Sequence, residues 1–131
     1  MDTEASGGQP GTDDEQRGLL MVEISNAMVH IYKELFGRGP TKAKTSHAGP
    51  DLLVTTLENS LTRVEHTMAA AGEHERLRDL RMHFQYLREN DFIEAVEQIT
   101  GRKVRAFVSG MDVKRDVASE LFYLEPEPAA T

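Results

Sequence analysis

The residues best placed to do chemistry in this chain are basic. Arg78, Arg81, Gln85 and Arg88 recur at spacings of three and four, and at 100° per residue they fall within about an 80° arc of one helix. Two more basic runs each follow a glycine: Arg38, Lys42 and Lys44 after Gly37, and Arg102, Lys103 and Arg105 after Gly101. If the helix and the two runs converge, these ten residues form a basic concavity able to hold a carboxylate, bicarbonate or phosphate through charge-assisted hydrogen bonds. They are the candidate anion- or partner-binding set. The competing reading is a set of structural ion pairs, since Glu75, Asp79, Glu89 and Asp91 lie close in sequence.

Other chemistries find less support. Gly37-Arg38-Gly39-Pro40-Thr41-Lys42 resembles a phosphate loop, but such a loop joins a strand to a helix and ends Gly-Lys-Ser/Thr, whereas this segment leaves a helix and places Thr before Lys. His30, His47, His66, His74 and His83 include no pair at i, i+4 and lack zinc-site spacing, so no metal is expected. Ser109 stands in Val-Ser-Gly without a nucleophile-elbow pattern. Asp112, Asp116 and Glu120 could serve as acid or base, yet no paired nucleophile accompanies them. The expectation is a protein without enzymatic activity and without a cofactor.

Composition narrows the partners. The 131 residues carry no cysteine, which excludes disulfides and thiolate chemistry, and the net charge is −7. Seven of the 22 acids lie in residues 1–16 or beyond Leu124, leaving 15 acids against all 15 Lys and Arg in between. The body is therefore neutral, which argues against a nucleic-acid binder. The apolar run Leu19-Leu20-Met21-Val22 is too short for a membrane span or a signal core, so a cytoplasmic chain is expected, touching a membrane only through a partner.

The elements that must position the basic set follow from periodicity and punctuation. Residues 1–16 read as a disordered acidic tail, rich in Gly, Pro, Ser and acid. Leu20, Ile24, Ala27, Met28, Ile31 and Leu35 then mark one face of a helix that Gly37 stops. Thr41 to Ser46 and Leu52 to Glu58 form a hairpin around Gly49-Pro50-Asp51. Thr62 and Glu65 make a capping box for a short helix that carries Val64 and Met68 inward and ends at Gly72. Helix resumes at about Glu73 with Leu77, Leu80, Phe84 and Leu87 on one side, is either kinked or split into two helices near Asn90 and Asp91, and closes at Gly101. Lys103 to Ser109 and Val117 to Leu124 form a second hairpin.

Helix, hairpin, helix, helix, hairpin predicts an α+β two-layer sandwich, with a four-stranded, mostly antiparallel sheet and the helices on one face. The matching Gly-Arg hairpins suggest a pseudo-two-fold internal repeat. A single domain spans 17–126, followed by a short tail over 127–131.

Gly39-Pro40-Thr41-Lys42-Ala43-Lys44, Leu61-Thr62-Arg63-Val64-Glu65, Arg81-Met82-His83-Phe84-Gln85, Thr100-Gly101-Arg102-Lys103-Val104-Arg105-Ala106-Phe107-Val108-Ser109 and Asp116-Val117-Ala118-Ser119-Glu120-Leu121-Phe122 together resemble the MpsC-like family. The likeness spans about Arg17 to Pro126 and departs at Asn59, where the family pattern has glycine. That family is named after the third component of a sodium-translocating, membrane-potential-generating system whose other parts are tied to inorganic carbon supply. The resemblance implies an accessory protein whose partners are membrane transport subunits, and it brings no catalytic residues. A small-anion sensor using the basic concavity is the alternative. Two free sheet edges would also permit a homodimer.

Overall fold

A computed structural model describes the backbone of residues 4–128 and the side chains of residues 13–128. The elements run α1 (Glu4–Phe36), β1 (Lys42–His47), β2 (Leu52–Glu58), α2 (Arg63–Ala70), α3 (His74–Leu87), α4 (Glu89–Thr100), β3 (Val104–Asp112) and β4 (Val117–Leu124). The four strands form one antiparallel sheet in the order β1-β2-β4-β3. Helices pack on one of its faces and bury Leu53 and Leu57 of β2, Phe107 and Met111 of β3, and Ala118, Phe122 and Leu124 of β4. Ile24, Met28, Ile31 and Tyr32 of α1, Leu77 of α3 and Phe92 and Val96 of α4 complete the core.

Local signals account for most boundaries. Thr62 caps α2, its hydroxyl accepting from the Glu65 N–H at 3.2 Å while the Glu65 carboxylate accepts from the Thr62 N–H at 2.8 Å. Gly37 and Gly101 close α1 and α4 at φ 84° and 72°, where any side chain would be strained. Asn59 takes the left-handed conformation that glycine would supply, at φ 61°, and Asp116 does so at φ 57°. These two corners meet, because the Asn59 N–H donates to the Asp116 carbonyl at 3.0 Å and the Asp116 carboxylate accepts from the N–H groups of Ser60 and Leu61.

The structure differs from expectation in several details. Helix α1 starts at Glu4, inside the segment expected to be a disordered acidic tail. Its residues from Asp13 to Leu19 stay exposed, and residues 1–3 and 129–131 of the expected tails lie outside the described residues. Helices α3 and α4 meet at Arg88, two residues before the expected junction, and Asp91 pairs with Arg88. Val64 points outward and is 71% exposed. Finally, α3 is turned: Leu77, Arg81 and Gln85 face the core, while Leu80, Phe84 and Leu87 of the apolar stripe are exposed.

Candidate functional site

The turned helix α3 determines what happens to the predicted basic set. Arg81 is fully buried. Its Nε and Nη2 donate to both carboxylate oxygens of Glu65 at 2.7 and 2.8 Å, Nη2 also donates to the Ser60 carbonyl at 2.7 Å, and Nη1 reaches the Ser60 hydroxyl at 3.3 Å. The guanidinium lies 3.6 Å from the centre of the Phe36 ring, a close cation–π contact. Burial pushes the Glu65 carboxyl up, but hydrogen bonds from Arg81 and Thr62 outweigh it and hold the group below the usual carboxylate range. Arg81 is thus a structural bracket joining α1, α2 and α3.

Gln85, one turn further on, is also fully buried and donates from Nε2 to the Ser109 hydroxyl at 2.6 Å and to Glu120 Oε2 at 3.3 Å. The Tyr32 hydroxyl donates to the same Glu120 oxygen at 2.5 Å. In register, Thr45 pairs with Thr55, Thr55 with Glu120, and Glu120 with Ser109, so one polar row crosses all four strands beneath the helices. Hydroxyl contacts of 2.8 Å link Ser25 to Thr45 and Thr45 to Thr55. Every member of the row is buried. Burial pushes the Glu120 carboxyl up to about 7, against hydrogen bonds from Tyr32 and Ser109 that favour its charged form. Burial and the neighbouring Glu120 charge raise the Tyr32 hydroxyl in turn.

The other eight predicted residues are spread apart. Sheet order puts β1 and β3 on opposite edges, and the register puts the start of β1 level with the end of β3, so the two basic runs occupy diagonally opposite corners. At one corner the Arg38 guanidinium donates to the Leu61 carbonyl at 2.6 Å and Lys42 approaches Glu58 at 3.9 Å, with Lys44 exposed on β1. At the other, Arg102 donates to the Pro50 and Glu125 carbonyls and to Asp51, Lys103 is exposed, and Arg105 lies 5.6 Å from the Tyr123 ring centre. Arg88 bridges Glu34 and Asp91, and Arg78 is exposed on α3. The structure does not bring the ten residues into one concavity: the basic runs sit at opposite corners, and Arg38, Lys42, Arg88 and Arg102 are spent on nearby carbonyls and carboxylates.

Of the three candidate acids, Asp112 is engaged by the Arg115 N–H and guanidinium and Asp116 by the turn at Ser60 and Leu61; Glu120 is sealed in the core. The polar row was hidden in the sequence, since its members lie far apart and only strand register joins them. Alternation in Leu53-Val54-Thr55-Thr56-Leu57 and Ala118-Ser119-Glu120-Leu121-Phe122 was the available signal: Thr55 and Glu120 occupy the phase of the buried apolar residues.

What α3 offers outward is an apolar stripe. Leu80, Phe84 and Leu87, at i, i+4 and i+7, are 41%, 37% and 62% exposed. Single exposed apolar side chains are ordinary, but three on one helical face beside two fully buried polar residues invert the usual arrangement of a surface helix.

Comparison with curated proteins returns no match, and comparison with solved structures returns none either. The family described as the Na+-translocating membrane potential-generating system (MpsC) matches residues 16–126, nearly the whole described fold, and the chain belongs to the MpsC family.

Proposed function

We propose that this protein is a non-enzymatic accessory component of a Na+-translocating membrane potential-generating system, and that it docks another subunit of that system through Leu80, Phe84 and Leu87. One observation carries the reading: α3 buries Arg81 and Gln85 and leaves its apolar stripe in solvent. Keeping two long polar side chains inside requires partners for each, and α3 has them in Glu65, Ser60, Ser109 and Glu120. The rotation is therefore fixed by the interior, and the stripe remains available to a partner. No helix among the described residues is long and apolar enough to cross a membrane. Membrane association would accordingly run through the partner subunit, with this chain on the cytoplasmic side.

Co-expression of the tagged chain with the membrane-embedded components of the same system tests the proposal. Those components should co-purify in detergent with the unaltered chain, and the double variant Phe84→Glu, Leu87→Glu should lose them while keeping its circular dichroism spectrum. Undiminished recovery by the folded variant would sink the docking assignment.

A further inference from the structure

We propose that Glu120 and Gln85, at the centre of the polar row, form an internal binding site for a monovalent alkali cation. Two buried oxygens in this network, Glu120 Oε1 and Gln85 Oε1, have no hydrogen-bond partner. Both belong to groups already in contact through Gln85 Nε2 and Glu120 Oε2, at 3.3 Å. Buried acceptors without donors are rare and costly, and two in one cluster point to a missing positive species. The surrounding heteroatoms are mostly oxygens: the hydroxyls of Tyr32 from α1, Thr55 from β2 and Ser109 from β3. Hard cations take such oxygen donors.

Charge balance sets the valence. An ionised carboxylate taken out of water needs a counter-charge. The groups that elements packed around Glu120 bring to it are Tyr32, Thr55, Gln85 and Ser109, none of them cationic, and α4 adds Phe92 and Val96 to the same core. The nearby guanidinium, Arg81, is already matched by Glu65. One carboxylate therefore awaits one positive charge, which a monovalent ion supplies and a divalent ion would exceed. A proton is the competitor for the same oxygens, consistent with burial raising the carboxyl to about 7.

Thermal unfolding of the full chain at about pH 8.5 and constant ionic strength, in sodium, lithium or potassium chloride against tetramethylammonium chloride, tests this directly and needs no partner subunit. At least one alkali salt should raise the midpoint saturably, by about 4 °C or more, because the ion binds the native state alone. The shift should vanish near pH 5.5, where the proton holds the site, and in Glu120→Gln, which keeps the shape and removes the charge; Gln85→Met should weaken it. Broadening of the sodium-23 resonance by the unaltered chain, absent with Glu120→Gln, is a second readout that does not depend on the unfolding transition. Superimposable melting in all four salts, leaving only a pH dependence, would mean that a proton alone occupies the site and would overturn the proposal. An ion-specific shift that survives in Glu120→Gln would overturn it equally.

Discussion

Arg81 spends three nitrogens on two residues, and removing it leaves Glu65 as an uncompensated charge in a half-dry setting. Arg81→Leu should cost about 3–5 kcal/mol in urea unfolding, and the double variant with Glu65→Leu should cost less than Arg81→Leu alone, since no unpaired charge then remains. Glu120 has the opposite pH behaviour to an ion-paired carboxylate. Its folded-state value, about 7, lies above the ordinary 4.5, so between those limits the native chain binds more protons than the unfolded chain. Stability should consequently fall as pH rises through that window, by on the order of 3 kcal/mol in alkali-free buffer. Glu120→Gln should flatten the profile there, and an unchanged slope in the variant would assign the titration elsewhere.

Helix α2 depends on a reciprocal cap, and Thr62→Ala should lower stability by about 1 kcal/mol. On α3 the outward stripe carries little of the folding energy, so Leu87→Glu should change the unfolding free energy in urea by no more than about 0.5 kcal/mol while abolishing partner capture. Such element-level features differ in how far the sequence reveals them. The cap at Thr62 and Glu65 and the left-handed stop at Gly101 are decided by residues within a few positions of one another, and each is readable from the chain alone. The rotation of α3 is not. Periodicity identifies Leu77, Leu80, Phe84 and Leu87 as neighbours on a helix, but whether that stripe or the Arg81–Gln85 stripe faces the sheet depends on Glu65, Ser109 and Glu120, all distant in sequence. The placement of the basic set depends on distant residues too. Its separate runs are evident, whereas their separation follows from a strand order that no local pattern encodes.

Across the whole molecule, the pairing of β2 with β4 joins the two hairpins and occupies the middle of the sheet. Native-state hydrogen exchange should find the slowest amides there, with β1 and β3 exchanging faster; equal protection in β1 would show that the sheet does not open from its edges. Those edges make the diagonal placement of the basic runs meaningful in another way. Lys42 and Lys44 project from one border strand, and at the other Arg105 is the extra residue where the register slips between Val104 and Ala106. Charged side chains and a bulge on border strands discourage a further strand from adding on. The glycine-led basic motifs thus put charge, and at Arg105 a bulge, on both open borders of the sheet, features that resist edge-to-edge polymerisation.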